Sequence, residues 1–320
     1  MQEISVYLNS RASHSNSNFW TKEIGRRLFR SEITFRDPEN YEKLIECLDK
    51  DIDKNINTVI SVGGDGTVHT LIQKLAGKEI ALLVIPAGTA NDLANELGTS
   101  KRIGKVISWI RQNKTRKIDL ISINGKYIAT NGGIGFAGQV AKKINTIRRN
   151  VAPFKKVMKL AGKSIYSFFA ASEILDPLLP YYNVRLKSKE FEGDVKCAAL
   201  LVNNQRMLGG SFQVAPETLN NDGSFNVTIL THKNRVSLTR CLWSLGMGLD
   251  HSKDKYIISF ETKELKLELL DDLNIPFFGD GEILETSKEW HVKIIPSSLL
   301  VYSSIDGDDL INVVNEVSLS

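Results

Sequence analysis

Cysteine is scarce in this chain. Cys47, Cys197 and Cys241 are all it has in 320 residues, odd in number and far apart. That excludes a disulfide framework and the regular spacing of a zinc finger, and each thiol reads as a small core residue in a reducing compartment. Long apolar runs are also missing: the strongest, Ile80–Ile85 and Cys197–Val202, have the length of a strand and not of a membrane span. The opening MQEISVYLNS holds Glu3 and no apolar stretch, so no secretory signal is expected and the expected location is cytoplasmic. No G-x-S-x-G elbow points to a hydrolase, and no repeat or low-complexity linker divides the chain. The charge excess is small, 41 Lys+Arg against 37 Asp+Glu for a formal +4, short of a dedicated nucleic-acid binder.

What is there is an apolar content of 42%, enough over this length for two ordinary cores. The first third alternates strand and helix. Ile4–Leu8, Glu32–Phe35, Asn57–Val62 and Ala81–Ile85 read as strands; Phe19–Phe29, Tyr41–Leu48, Val68–Leu75, Asn91–Leu97 and Arg102–Gln112 read as helices. That alternation predicts an α/β domain with a parallel, helix-flanked sheet. From about Lys117 the texture turns to β-rich stretches at 117–129, 183–186, 195–202, 224–230, 256–269 and 290–295, separated by Gly, Asn and Asp turns, which predict an antiparallel sandwich. The expected boundaries are 1–120 for the α/β domain, with 300–320 returning to it, and 121–299 for the sandwich.

The chemistry lies where two of those strands end. Gly63-Gly64-Asp65-Gly66-Thr67 follows one apolar strand and Pro86-Ala87-Gly88-Thr89-Ala90-Asn91-Asp92 the next, about two dozen residues later. Gly63, Gly64 and Gly66 are expected to take positive φ and let backbone N–H groups approach phosphate oxygens, with a helix N-terminus behind them. Asp65 then either helps hold a nucleotide-bound magnesium ion, orients the transferred phosphoryl group, or only caps a helix. Gly88 permits close approach, Thr89 offers a hydroxyl, and Asn91 and Asp92 open a helix, where capping is their simpler role. Near the other end, Gly279-Asp280-Gly281-Glu282 follows the apolar run Ile275–Phe278. Asp280 is placed either to project into a cleft or to make an ordinary Asp-Gly hairpin turn.

These motifs, with Asn203-Asn204, Gly209-Gly210-Ser211-Phe212, Ala215-Pro216 and Asn221-Asp222-Gly223 between them, resemble the catalytic domain shared by diacylglycerol kinases, bacterial soluble lipid kinases, and sphingosine and ceramide kinases. The resemblance runs along nearly the whole chain, and its nucleotide half is similar to NAD kinases and phosphofructokinases. It implies a two-domain ATP-dependent kinase with ATP in a cleft, the Gly-rich turns on one wall and an acid supplied from the other. Residue by residue it makes Asn9 and Gly63 to His69, Val68 among them, the nucleotide contacts, joined by Gly88, Thr89, Asn91 and Asp92. It makes Asp280 the general base for a lipid hydroxyl, with Asp65 and Glu282 the further carboxylates of the reaction. An aspartate is too weak a base to ionise an alcohol beforehand, so its value lies in accepting the proton late. The resemblance also implies a structural Mg2+ at the turn Leu219–Ser224, with Asp222 as side-chain ligand and main-chain oxygens of Leu219 and Ser224, an all-oxygen set for a hard cation. An Asn-Asp-Gly turn accounts for the same residues.

The chain departs from the family pattern at Ser10, where relatives have proline, and at Thr70, where many have glutamate. Ala137 stands where sphingosine kinases place an aspartate for their cationic amine, and an unpaired buried ammonium is expensive. A neutral glycerolipid such as diacylglycerol is therefore the expected substrate. Between Val140 and Ser172 lie eight basic residues and no acid: Lys142, Lys143, Arg148, Arg149, Lys155, Lys156, Lys159 and Lys163. They suit either an anionic bilayer on the inner face of the membrane or a solvated helix face. The expected partners are thus ATP, a glycerolipid and a peripheral membrane surface, not nucleic acid, with a homodimer left open. NAD kinase, and a non-catalytic nucleotide-binding module at a membrane surface, are the alternatives.

Overall fold

The computed structural model describes residues 2–10, 16–88, 90–99, 102–136, 138, 180–209, 212–249 and 254–304. The basic stretch 142–163, Ala137 and Thr89 lie outside them. The chain divides into two compact units, Met1–Asp119 with Ser297–Ser320, and Leu120–Pro296.

The first unit is a parallel sheet of β1 (Glu3–Leu8), β2 (Glu32–Arg36), β3 (Thr58–Gly63) and β4 (Ala81–Pro86) in the order β2-β1-β3-β4. Its helices are α1 (Ser17–Arg27), α2 (Tyr41–Asp53), α3 (Asp65–Leu75), α4 (Asp92–Glu96) and α5 (Ile103–Arg111). Helices α1 and α2 start where the sequence supplies a cap: Asn16 accepts the Phe19 N–H and Asn40 the Lys43 N–H. β3 is buried along its whole length, as a strand covered on both faces must be, which is why it reads as an apolar run without alternation. Ile4, Val6, Leu8, Ile60, Val62, Leu83 and Ile85 face Ile24 of α1 and Val106, Ile107 and Ile110 of α5 in one core. The opposite face carries α2, as the Tyr7 hydroxyl donating to Asp51 at 2.7 Å shows.

The chain leaves this unit within β5 (Thr115–Ile123). The second unit is a sandwich of β6 (Lys126–Ile128), β7 (Asn131–Gly135), β8 (Tyr182–Lys187), β9 (Glu192–Cys197), β10 (Ala199–Asn203), the short β11 (Met207–Leu208) and β12 (Phe212–Gln213), and β13 (Phe225–Leu230). Then come α6 (Arg235–Gly246), β14 (Ile257–Thr262), β15 (Glu264–Leu269), β16 (Ile275–Gly279), β17 (Glu282–Ser287) and β18 (Glu289–Tyr302). One sheet runs β14-β13-β10-β7-β16-β17 and the other β18-β15-β8-β9, and all neighbours within these two runs are antiparallel. Side chains such as Val184, Leu186, Leu265, Leu267, Val202, Val227 and Phe277 fill the space between them. Leu238, Cys241 and Leu245 seat α6 on the outer face of the first sheet. β18 ends in the first unit, where Val301 pairs with Leu82 in parallel.

Two of the β-rich stretches are divided between the sheets. Val195–Val202 breaks at Ala198 into β9 and β10, and Tyr256–Leu269 breaks at Lys263 into β14 and β15, the halves pairing in different sheets. The chain switches sheet at each break, and β10 is buried throughout while β9 alternates.

Candidate active site

In the first unit both Gly-rich turns leave the same edge of the sheet. Gly63 of β3 lies in register with Pro86 of β4, so the two turns begin side by side. They touch through backbone: a Cβ on Gly88 would lie 2.6 Å from the Gly64 Cα, and one on Gly63 would lie 2.7 Å from Thr67 Oγ1. The expected positive φ at Gly63, Gly64 and Gly66 is not found, since none of the three is among the left-handed residues, while the close approach expected at Gly88 is found. At Gly63 and Gly88 close packing requires glycine, and at Gly64 a Cβ would be tight, 3.2 Å from the Gly88 Cα. The turn is also shorter than its motif. Helix α3 opens at Asp65 with Gly64 as its cap residue, so Asp65, Gly66 and Thr67 are its first turn and its N-terminal amides face out at that edge.

Asp65 links the two turns. Its Oδ2 accepts the Asn91 N–H at 3.0 Å and its Oδ1 the Asp92 N–H at 2.8 Å. It therefore caps a helix, but α4 and not its own. Asn91, left-handed at φ 53, does not cap through its side chain; it accepts the Gly88 N–H and donates to the Gly88 carbonyl, both at 2.9 Å. Asn9 donates its amide to Thr67 Oγ1 at 2.8 Å, and its N–H bonds to the Val62 carbonyl, so a third strand end joins the edge. The Val68 side chain is buried, and its N–H bonds the Gly64 carbonyl at 3.2 Å. His69 is half-buried on α3, and Thr70 turns back to bond the Gly66 carbonyl at 3.0 Å. Thr89 lies outside the described residues.

In the second unit Asp280 and Gly281 are the two central residues of the turn joining β16 to β17, at φ 52 and 79. The hairpin reading of this sequence therefore holds. Yet Asp280 is only 7% exposed, unlike an ordinary turn residue. Its carboxylate accepts the Thr130 hydroxyl at 2.7 Å, the Thr130 N–H at 2.9 Å and the Ala129 N–H at 3.1 Å. The 129–130 segment is held in turn by Asn204, which donates through its backbone to the Thr130 carbonyl at 2.8 Å and through its side chain to the Ala129 carbonyl at 3.0 Å. Asn131 and Gln205 both donate to the Met207 carbonyl, and Asn203 donates to Thr228. The Oδ1 atoms of Asn131 and Asn203 and Oε1 of Gln205 are buried without a hydrogen-bond partner among the described residues. Such a group of desolvated acceptors suits a ligand that brings hydroxyl donors. Glu282 is the first residue of β17, half-buried and in register with Gly279.

At the turn Leu219–Ser224, Asp222 Oδ1 accepts both the N–H and the hydroxyl of Ser224 at 3.0 Å. The same hydroxyl also contacts Glu261 of β14. Asp222 and Glu261 thus meet at one hydroxyl, and carboxylate oxygens are the donor type a hard cation takes. Glu261, Thr130 and Gln205 have no motif of their own. The available signal is the polar run Asn203–Gln205 that closes the buried strand β10.

A parallel sheet with Gly-rich turns on one edge, followed by a two-sheet sandwich, has the fold of diacylglycerol kinase-like proteins. The crystal structure of a diacylglycerol kinase from Bacillus anthracis str. Sterne superposes with a TM-score of 0.70 over 95% of this chain and 97% of that one, at 18% identity. Residues 3–123 match the diacylglycerol kinase catalytic domain, and residues 134–303 match the YegS C-terminal NAD kinase beta sandwich-like domain. The chain belongs to the diacylglycerol kinase and YegS-like family of lipid kinases. Among its relatives are the "Diacylglycerol kinase" of Bacillus subtilis (strain 168), 25% identical over 75% of this chain and 78% of the relative, and a "Probable lipid kinase YegS-like" of Klebsiella pneumoniae (strain 342), 28% identical over 80% of each. No described helix is long and apolar enough to cross a membrane.

Proposed function

We propose that this lipid kinase transfers the γ-phosphate of ATP to the hydroxyl of diacylglycerol or a related glycerolipid. The observation that carries the reading is Asp65 tying the two phosphate-loop candidates into one backbone-lined edge. Amides at the start of α3 receive the phosphates, and Asn9 holds Thr67 in place. The reading requires Asp280 to reach the acceptor hydroxyl. As the acceptor oxygen bonds to the γ-phosphorus and the bond to the bridging oxygen breaks, the hydroxyl proton passes to the Asp280 carboxylate. The Thr130 and Ala129 donors fix the orientation of that carboxylate.

Magnesium supplies charge neutralisation on the transferring phosphate when bound, and a second ion at Asp222, Glu261 and the neighbouring main-chain oxygens supplies local order. Alanine at position 137 supports a neutral lipid over a sphingoid base. The basic residues between Lys142 and Lys163 support a meeting with an anionic bilayer at its cytoplasmic face. Transfer of radiolabelled phosphate from ATP to a panel of lipids tests the reading, with NADP formation assayed in parallel. Labelled phosphatidic acid that disappears in Asp280→Asn supports it. Label only on NAD, or on no lipid, overturns it.

A further inference from the structure

His232, Cys241 and Asp254 meet in the second unit although their spacing follows no zinc-finger pattern. His232 lies just after β13, Cys241 on the buried side of α6 and Asp254 just before β14. One ligand atom from each, a ring nitrogen, Sγ and a carboxylate oxygen, lies within 4.8 Å of the others. His232 Nε2 stands 3.1 Å from Asp254 Oδ2, and Asp254 Oδ1 accepts the Tyr256 N–H at 2.9 Å. The other ring nitrogen, Nδ1, is buried and has no hydrogen-bond partner among the described residues. A buried ring nitrogen without a partner carries a desolvation cost that ligation to a cation removes.

We propose that these three side chains form a divalent transition-metal site, with zinc as the favoured common ion. A thiolate and a carboxylate balance its two charges, and an N/S/O donor set selects zinc over magnesium and calcium, which take oxygen shells. In a tetrahedral zinc site with bonds of roughly 2.0–2.3 Å, ligand atoms stand roughly 3.3–3.7 Å apart. Loading therefore draws the widest pair in by at most about 1 Å, within the reach of χ1 rotation at Cys241 and Asp254. His232 and Cys241 are closed to solvent, whereas the Asp254 side chain, 29% exposed, gives an ion its way in and leaves a fourth position for water. The ion ties α6 to the segments on both of its sides, so its role is to fix that helix on the sheet. The site is independent of the kinase reading.

The test uses the full chain, stripped with a chelator, given excess zinc and desalted. Elemental analysis is expected to find about one zinc retained per chain, and at most about a tenth of that in Cys241→Ser or His232→Gln. Circular dichroism of the metal-free variants separates a lost ligand from a lost fold. Cobalt(II) on the wild type requires no variant: a thiolate-to-cobalt absorption band supports the site, and it should persist in Cys47→Ser. Cobalt bound without that band, zinc not retained by the wild type, or retention unchanged in both variants each overturns the assignment.

Discussion

Gly64 and Gly88 are in backbone contact: a Cβ on Gly88 would lie 2.6 Å from the Gly64 Cα, and one on Gly64 would lie 3.2 Å from the Gly88 Cα. The obstacle is main chain on both sides, so no side chain can swing away. Gly88→Ala is expected to force the two turns apart, to cost about 1–3 kcal/mol of stability, and to weaken ATP binding at least tenfold by calorimetry. Gly64→Ala should do less. Gly25→Ala, inside α1 with nothing within 4 Å, serves as the control and should stabilise by about 0.5–1 kcal/mol in thermal unfolding.

Asp65 receives two backbone N–H groups, and an asparagine there presents one oxygen and one NH2. One donor of α4 is then set against another donor. Asp65→Asn is expected to cost about 1–3 kcal/mol and to raise amide exchange across residues 91–97, read by hydrogen-exchange mass spectrometry. Unchanged exchange there would remove Asp65 from its bridging role.

Asp280→Asn keeps the size of the side chain and removes its capacity to take a proton. The kcat for lipid phosphorylation is expected to fall about 10²–10⁴-fold, with the ATP dissociation constant unchanged. Thr130→Val removes only the orienting hydroxyl at 2.7 Å, so its kcat should fall less than that of Asp280→Asn while the fold persists. A Thr130→Ser variant that restores the rate would show that the hydroxyl positions the carboxylate.

Asp51 gives a pH signature. Burial pushes its carboxyl up, but hydrogen bonds from Arg36, Tyr7 and Ser5 outweigh burial and hold it below the usual range. A carboxyl lowered by folding contributes stability in full above its unfolded-state pKa of roughly 3.9, and loses it as pH falls through the folded value. Asp51→Asn is therefore expected to cost about 3 kcal/mol near neutral pH, because it leaves Arg36 without its partner at 2.6 Å. Urea unfolding repeated at about pH 3 should show that difference shrinking. An undiminished difference in acid would rule out the ion pair as its source.

The sequence shows most plainly what depends on neighbours along the chain. β3 and β4 are visible as apolar runs because both of their faces are covered, and Asn16 and Asn40 mark the starts of α1 and α2 through local caps. What it hides are partnerships between distant residues. The bonds from Asp65 span 26 and 27 positions, those from Thr130 to Asp280 span 150, and that from Ser224 to Glu261 spans 37. Motifs therefore pick out Asp65 and Asp280 without telling which donors hold them. The breaks at Ala198 and Lys263 are hidden for a similar reason, since a strand that changes sheets stays extended and keeps much the same composition on both sides. The glycines of the first turn are legible as special positions, but the cause is the Thr67 side chain at Gly63 and the Gly88 backbone at Gly64, not an unusual φ.

The first unit is completed by the other end of the chain. Val301 pairs with Leu82, and Tyr302 is buried in the first unit's core with its hydroxyl 3.0 Å from Thr58. During synthesis, then, β1 to β4 leave the ribosome with one sheet edge bare and must wait for some two hundred further residues before the strand that covers it arrives. The sandwich, made of one uninterrupted stretch, has all of its own strands earlier except for the last turn of chain that returns. The first unit, although its strands begin the chain, is therefore the last to gain all of them.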